Sequence, residues 1–347
     1  MGSPSVRASR TTLSDLAADL GLSRATVSKA LNNRTDVSEE TRHRVQARAY
    51  ELHYQPTVSA SRSPSIAVVA DGLIAMYTLQ VLSGISDECQ IQDLTMTLTS
   101  TTNVPGTKTA PLSNQWMRRI AANGFHGILL ITHEVPDSLI NMTAQLGLSL
   151  VVIDPLQSVS PDVLTIGATN WNGALAATQH LLGLGHKRIA YVQGPRGSLP
   201  SVERYEGYLS ALRQVGLKKD DSQIIGDDFT FECGLESGRE LLSRPAGQRP
   251  TAVFCGSDAS ALGIIEATRE AGLRVPEDLS VVGFDNTFLA ISSAPRLTTV
   301  SQPMHEMGAA AVRALVSLHA GTSPSGPMRF ETSLMIRDST AAPREFS

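Results

Sequence analysis

The sequence predicts an α/β protein in which a small three-helix domain precedes a larger, two-lobed domain with parallel sheets. Three observations lead to this fold class. The first 54 residues carry helical spacing, and from residue 66 short apolar segments alternate with helical patterns. The chain has 347 residues, which exceeds the roughly 100 to 200 residues of an ordinary single domain.

The first predicted helix follows an N-terminal stretch, residues 1–10, that we expect to be disordered. Its apolar side chains recur at i, i+3, i+4 and i+7: Leu13, Leu16, Ala17 and Leu20. Thr12 can cap this helix, and Asp15 suits its positive N-terminal end. Gly21 ends the helix.

Two further helices complete the small domain. Ser23 is a good cap for a helix over residues 24–32, and Ser38 caps a third that extends to about Leu52. The turn between the first two helices is only about three residues long, which is typical of a helix-turn-helix.

A helix-turn-helix places the first residues of its second helix against base edges in the major groove of DNA. Arginine and lysine can bind guanine, and serine and threonine can bind phosphates. The candidate DNA-binding residues are Arg24, Ala25, Thr26, Ser28, Lys29 and Asn32. Since many amphipathic helical trios share this pattern, these residues alone leave a purely structural interpretation open.

A linker and the second domain follow. Residues 55–65 contain two prolines and few large apolar side chains, which is typical of a linker. Continuous apolar strands that alternate with helices predict parallel sheets covered on both faces, here in two lobes within residues 66–347. The predicted strands are 66–70, 94–98, 128–132, 150–153, 189–192, 252–255 and 280–284.

Charge and composition narrow the classes of function. Residues 1–63 hold nine basic against six acidic residues, a net +3, and the remainder holds 20 against 27, a net −7. A basic end on an acidic body suits a nucleic-acid module joined to a partner-binding domain. The three scattered cysteines suggest neither disulfides nor zinc, and no window approaches a membrane span. We therefore expect a cytoplasmic protein without a membrane partner.

No motif for catalysis stands out. GxSxG, Walker and GxGxxG sequences are absent, and no histidine pair has metal-ligand spacing. His180 and His186 flank a predicted helix end, where a histidine suits the helix dipole. We expect no enzyme activity, no cofactor and no metal.

The segment TLSDLAADLGLSRATVSKALNNRTDVSEETRHRVQARAYELHYQP resembles the headpiece of the lactose-repressor (LacI/GalR) family. The resemblance continues in chain order through HLLGLGHKRIAYVQGP, ERYEGYLSALRQVGL, TAVFCGSDASALGIIEATREAGLRVPEDLSVVGFDN, PRLTTVSQP and IRDST. It implies a sequence-specific transcriptional repressor with a headpiece over residues 11–54. It also implies a domain like a periplasmic sugar-binding protein, which closes its lobes over a small effector and dimerises.

Several residues become effector-binding candidates. Asp154 and Asp285 follow apolar strands, so their carboxylates should lie at strand carboxyl ends, where ligands bind in parallel sheets. Arg204, in ERYEG, matches the family arginine that points into the cleft, and Phe229 matches an aromatic that stacks on the ligand. By resemblance, Tyr77, Ser257 and Asp258 line or brace the cleft.

The expected partners are a near-palindromic double-stranded operator, a second copy of the chain and a small effector, most simply a saccharide. Two rival functions stay open: a solute-binding protein that captures a sugar for transport, and an α/β enzyme that acts on a sugar. The first would need a signal peptide, and the second would need a base, nucleophile or metal set in the cleft.

The linker departs from the family pattern. Family members usually insert a leucine from a hinge helix into the minor groove, but here the matching position is Ser63, followed by Pro64. Serine cannot fill an opened base step, and the residue before a proline is biased away from helical geometry. We expect little operator bending and a first strand that begins about five residues early.

Overall fold

The computed structural model describes residues 11–31, 34, 36–52, 54, 64–101, 110–322 and 326–344. The chain divides into two compact units, Met1–Ser63 and Pro64–Ser347. The expected disorder of residues 1–10, the contact from Asn32 and the behaviour of Ser63 all lie outside the described residues.

The first unit contains three helices: α1 (Leu13–Leu20), α2 (Arg24–Leu31) and α3 (Glu39–Glu51). Their N-termini form at the predicted polar residues. The Thr12 hydroxyl accepts a hydrogen bond from the Asp15 amide, and the hydroxyls of Ser23 and Ser38 accept from amides three residues on. The core consists of Leu16, Ala17, Val27, Ala30, Val37, Val45 and Ala49.

The second unit alternates strands and helices. Its strands are β1 (Ser65–Ala70), β2 (Thr95–Ser100), β3 (Phe125–Ile131), β4 (Ser149–Ile153), β5 (Leu164–Ala168), β6 (Ile189–Val192), β7 (Ile224–Ile225), β8 (Ala252–Cys255), β9 (Ser280–Asp285), β10 (Thr298–Ser301), β11 (Met328–Phe330) and β12 (Ser333–Met335). Its helices are α4 (Met76–Ile91), α5 (Asn114–Ala122), α6 (Asp137–Gln145), α7 (Asn170–Gly183), α8 (Leu199–Gln214), α9 (Phe231–Ser243), α10 (Asp258–Glu270), α11 (Phe288–Ser292) and α12 (Met304–His319).

The strands form two six-stranded sheets, ordered β11-β5-β4-β3-β1-β2 and β12-β10-β9-β8-β6-β7. The first sheet, with α4 to α6 and α12, is the first lobe. The second sheet, with α7 to α11, is the second lobe. The described chain crosses between the lobes after β5, β10 and β11. The carboxyl ends of the parallel strands in both lobes face the space between them, because the same loops line one cavity there.

All seven predicted strands are present, and one detail of the prediction was wrong. The strand β2, predicted to be covered on both faces, is an edge strand in which three residues are exposed and three are half-buried. The sheets are parallel as predicted, and among the described strands only β12 runs antiparallel to its neighbour, β10. A strand at the edge of a sheet does not need apolar side chains on both faces, as a central strand does. This explains the threonines that alternate along β2.

The boundary after the linker can be placed. The strand β1 begins at Ser65, one residue before the predicted start, and pairs with both β2 and β3. Among the described residues, no helix is long and apolar enough to cross a membrane.

Candidate functional site

A cavity of about 410 Å³ lies between the two lobes of the second unit. Side chains from the first lobe, such as Tyr77 and Asp154, line one side, and side chains from the second lobe, such as Arg204 and Asp285, line the other. All six predicted effector residues line it: Tyr77, Asp154, Arg204, Phe229, Ser257 and Asp285. The structure therefore brings together residues that are up to 208 positions apart in the chain.

The backbone bends sharply where strands end at the cavity. Thr132 after β3, Asp154 after β4, and Asp285 at the end of β9 have positive φ angles of 50°, 44° and 110°. Such angles are uncommon for residues with a Cβ and cluster at functional sites. The side chains of all three residues line the cavity.

Arg204 is held from several sides in the second lobe. Its Nε donates to Asn170 Oδ1 at 2.9 Å, and its Nη1 donates to the Gly256 carbonyl at 2.5 Å. The guanidinium lies 3.8 Å above the ring of Phe284, a favourable cation–π distance. With only 3% of the residue exposed, the arginine is fixed before any ligand arrives.

Asp285 faces this arginine. Its Oδ1 lies 3.6 Å from Arg204 Nη1 and accepts a hydrogen bond of 2.6 Å from Gln302 Nε2. Burial raises the pKa of Asp285 to about 7, although the positive charge of Arg204 opposes this shift. The carboxyl group is therefore poised between its charged and neutral forms near neutral pH.

Asp154 and Tyr77 form a pair on the first-lobe side. The Tyr77 hydroxyl donates to Asp154 Oδ2 at 2.5 Å. Burial raises the pKa of Asp154, while the hydrogen bond from Tyr77 lowers it. Burial and the neighbouring carboxylate raise the pKa of Tyr77 well above its usual range. The tyrosine therefore stays protonated and acts as a donor.

The side-chain oxygens of Asp258 and Ser257 form hydrogen bonds within the second lobe. Asp258 Oδ2 accepts from the amide and hydroxyl of Thr287, and its Oδ1 accepts from Thr299. The Ser257 hydroxyl caps α10 and donates to the Phe229 carbonyl at 2.8 Å. Because these side chains are hydrogen-bonded to other residues of the protein, they stabilise the wall of the cavity.

Phe229 forms part of the cavity wall next to Arg204, whose guanidinium carbon lies 5.1 Å from the ring centroid. The ring packs directly on glycine backbone. A Cβ at Gly194 would lie 2.1 Å from the Phe229 ring, and one at Gly256 would lie 2.7 Å away. Glycine at these two positions therefore leaves room for the aromatic ring beside the arginine.

Sequence reasoning missed three residues of the site. Asn170 and Gln302 hold Arg204 and Asp285, and Thr132 lines the cavity. Thr132 had a usable signal, since it follows the apolar strand β3 as Asp154 follows β4. Nothing in the local sequence marks Asn170 or Gln302, whose partners are 34 and 17 positions away.

The first unit presents a separate candidate surface on α2. Val27 and Ala30 face its core, while Arg24, Ala25 and Lys29 are exposed and Thr26 and Ser28 are half-buried. Lys29 is not free, because its Nζ lies 2.6 Å from Asp36 Oδ2. Thr26 takes part in the N-cap through its amide and a hydroxyl contact with Ser23. Arg24 is an exposed cation in the first turn of α2, whereas Lys29 lies in its last turn.

The two histidines singled out in the sequence have structural partners. The ring of His186 is buried and contacts the hydroxyls of Thr251 and Ser280, and His180 contacts Thr340. Within the described ranges, no group of three or more His, Cys, Asp or Glu residues could hold a metal ion.

Comparison with protein families gives two matches. Residues 12–57 match the family described as bacterial regulatory proteins, lacI family. Residues 178–340 match the family of the periplasmic binding protein-like domain. The two matches cover the helix-turn-helix unit and most of the second lobe, including Arg204 and Asp285.

Individual relatives span nearly the whole chain. It is 32% identical over 311 residues to the HTH-type transcriptional repressor PurR of Klebsiella pneumoniae (strain 342), covering 88% of this chain and 89% of that protein. A structure described as the transcriptional regulator CelR–cellobiose complex has a TM-score of 0.71 and 31% identity, covering 95% of this chain and all of that one. The lac repressor dimer bound to operator and the anti-inducer ONPF has a TM-score of 0.78 and 26% identity, covering 96% and 100%.

Proposed function

The chain belongs to the lacI family of bacterial regulatory proteins, and from this premise we propose how its parts divide the work of a repressor. It is a DNA-binding transcriptional repressor with an effector domain, and the family is not enzymatic. Repressors of this family bind operator DNA and small effectors and act as dimers. For this chain we assign the headpiece to residues 11–54, the linker to 55–65 and the effector and dimerisation domain to 66–347.

The headpiece binds the operator through α2. Exposed Arg24 and Lys29 supply the groups that read bases, and Ala25, Thr26 and Ser28 contact bases or phosphates. Asn32, beyond the described end of α2, is assigned to the same surface. One recognition helix per chain requires a homodimer on a near-palindromic site, with half-sites about 34 Å apart. We place the protein in the cytoplasm, where it meets this DNA.

The cavity binds the effector. The observation that carries this proposal is the buried pair of Arg204 and Asp285, which faces the pair of Tyr77 and Asp154 across one cavity between two lobes. Convergent polar groups in an otherwise apolar cleft are typical of a small-molecule site. A ligand that bridges both pairs favours one arrangement of the lobes, and a coupling of about 1 to 3 kcal/mol would change operator affinity roughly 5 to 150-fold.

Operator selection followed by an effector screen tests this proposal. Genomic fragments that bind the full-length dimer define the operator, and fluorescence anisotropy then measures its affinity with and without candidate sugars and nucleosides. We expect one class of compound to change the affinity at least about 5-fold. A protein that binds its operator but responds to no compound would contradict effector control.

Substitutions separate the two sites. Arg24→Ala or Lys29→Ala should relax base preference by roughly 1 to 3 kcal/mol, with the response to the effector unchanged. Arg118→Ala removes a positive charge from an exposed position on α5 and serves as the control. If neither headpiece variant alters sequence preference, these residues do not read bases.

The linker gives this repressor weaker DNA bending than a relative with a full hinge. The proposal rests on Ser63 at the wedge position and on Pro64 directly after it. Gel phasing of wild type and Ser63→Leu measures the bend. A sharp central kink in the wild type would contradict it.

A further inference from the structure

The charges that line the cavity are not balanced. Among the described lining residues, five side chains carry a carboxyl group and one carries a cation: Asp71, Asp154, Glu232, Asp258 and Asp285, with Arg204. Both carboxylate oxygens of Asp258 already accept hydrogen bonds, from the amide and hydroxyl of Thr287 and from the hydroxyl of Thr299. The remaining carboxyl groups still outnumber the guanidinium.

The one cation is already compensated. Asp285 lies 3.6 Å from Arg204 Nη1, and the two side chains are only 9% and 4% exposed. Buried charges are costly unless they are paired, and the ionised form of Asp285, which predominates above its pKa of about 7, balances the charge of the arginine inside the protein. The guanidinium donates one hydrogen bond from Nε to Asn170 Oδ1 and another from Nη1 to the Gly256 carbonyl. Among the described residues, only Nη2 has no protein acceptor.

The surroundings add negative charge. A second groove of about 550 Å³ borders the cavity and shares Thr230 and Glu232 with it. Four further carboxyl groups and a single arginine, Arg196, line the described part of this groove: Asp227, Asp228, Glu236 and Glu240. Clefts lined by one sign of charge repel ligands of that sign.

The walls of the cavity suit the faces of a ring. They are formed largely by apolar side chains, which include Ile74, Met76, Leu156, Phe229, Phe231 and Leu289. Aromatic and aliphatic walls cover the C–H faces of a cyclic molecule, and the few polar groups then fix its hydroxyls. Carboxylates accept hydrogen bonds and do not donate them when ionised, so they select a ligand rich in donors.

We propose that the cavity selects an uncharged, hydroxyl-rich cyclic effector and that Asp285 is the residue that excludes anions such as sugar phosphates and sugar acids. This inference rests on the proposed effector function of the same cavity. When Asp285 is ionised, its negative charge offsets the positive charge of Arg204. The arginine then presents hydrogen-bond donors to a ligand without adding net charge to the cavity.

The first test needs no knowledge of the effector. Thermal unfolding of the full-length protein is measured in sodium sulfate and in sodium chloride at equal ionic strength, so that general screening cancels. The measurement is made well above pH 7, where the carboxyl group of Asp285 is ionised. Sulfate stabilises folded proteins in general because it is excluded from their surfaces, so the wild type should show this general effect and no more. In Asp285→Asn the charge of Arg204 is uncompensated, and sulfate should bind at least about ten-fold more tightly than in wild type.

Two controls accompany this test. Asp162→Asn removes the same charge at an exposed position outside the cavity and should behave as the wild type does. Adding Arg204→Met to Asp285→Asn should abolish the sulfate effect. Equal stabilisation of wild type and Asp285→Asn by sulfate would overturn the proposal.

A second test uses the wild type alone and therefore does not depend on the folding of a variant. Matched pairs are compared by thermal shift and by operator anisotropy: glucose and glucose 6-phosphate, ribose and ribose 5-phosphate, cellobiose and cellobionate, and cytidine and its monophosphate. Any compound that binds should be the neutral member of its pair, with its anionic partner at least about 100-fold weaker.

An anionic compound that acts at the same concentration as its neutral partner, or at a lower one, would overturn the charge selection. Operator binding that no compound alters would instead contradict the proposed effector control. In that case the sulfate comparison still decides whether Asp285 excludes anions, so the two failures are distinguishable.

Discussion

The two lobes contribute to the cavity in different ways. On the second-lobe side, Arg204, Asp258 and Asp285 each have two or more protein partners. On the first-lobe side, Asp154 has a single hydroxyl donor, Tyr77. A preorganised wall can orient a ligand at little entropic cost, whereas a wall with few internal bonds gains partners from the ligand.

This difference indicates which half of the site sets specificity. The second lobe fixes the positions of its charges before binding, so it discriminates among ligands. The first lobe contributes a carboxylate and a hydroxyl that a ligand can bridge when the lobes approach. Substitutions in the second lobe should therefore damage both folding and recognition, and those in the first lobe should mainly weaken recognition.

The largest effect is expected for Arg204→Met. The substitution leaves Asp285 buried without its cation, and breaking a buried ion pair costs about 3 to 5 kcal/mol of unfolding free energy. Urea denaturation measures the loss. Arg213→Met, on the exposed face of the same helix, is the matched control and should change stability by less than about 0.5 kcal/mol. A loss of that small size at Arg204 would show that the second-lobe wall is not held by this pair.

A smaller but still large effect is expected for Asp258→Ala. It removes the acceptor of three hydrogen bonds that tie α10 to Thr287 and Thr299. Leaving buried donors unsatisfied should cost about 2 to 3 kcal/mol, measured by urea denaturation beside Asp162→Ala. The response to the effector should weaken as well, since Thr287 lines the cavity. Unchanged stability would mean that the network is dispensable.

The dependence of stability on pH tests the state of the buried carboxyl groups on the second-lobe side. The pKa of Asp285 is raised from 3.8 to about 7, so between these values the folded state binds a proton that the unfolded state has lost. Stability should therefore fall as pH rises from about 4 to 7, by as much as about 1.4 kcal/mol per pH unit for one proton. Arg204, Asp258, Asp154 and Gln302 all act on this group, and Asp258, with a pKa of about 6, contributes in the same direction.

Urea denaturation across this range tests the assignment. In Asp285→Asn the slope of unfolding free energy against pH should be shallower than in the wild type, and the part due to Asp258 should remain. Asp162→Asn should keep the wild-type slope. Identical slopes in Asp285→Asn and wild type would show that Asp285 is ionised in the folded protein across the range.

The smallest effect is expected on the first-lobe side. Tyr77→Phe removes the hydrogen bond to Asp154 and should cost about 1 kcal/mol of stability, with a several-fold weaker effector response. Tyr50→Phe, at a residue that is 84% exposed, is the control. If Tyr77→Phe destabilised the protein as much as Asp258→Ala does, the contrast between the two lobes would be lost.

Local patterns predicted some parts of this site and could not predict others. Asp154 and Asp285 were predictable because each follows an apolar strand, and the carboxyl end of a parallel strand faces the ligand cleft. Asp258 was predicted to line or brace the cleft, and its three donors favour bracing. The anchoring of Arg204 by Asn170 was not predictable, since no periodic pattern links residues on two helices.

For this protein the sequence by itself determined the helices of the first unit, the buried strands and the family. These depend on spacing along the chain: each N-cap hydroxyl accepts from a backbone amide three residues further on, and apolar strands are continuous. Only the tertiary structure decided how charge is distributed in the cavity. Arg204 and Asp285 are 81 positions apart, and Tyr77 and Asp154 are 77 apart. Whether a buried charge is free or compensated depends on which distant groups the fold brings within a few ångströms, because Coulomb and hydrogen-bond energies fall steeply with distance.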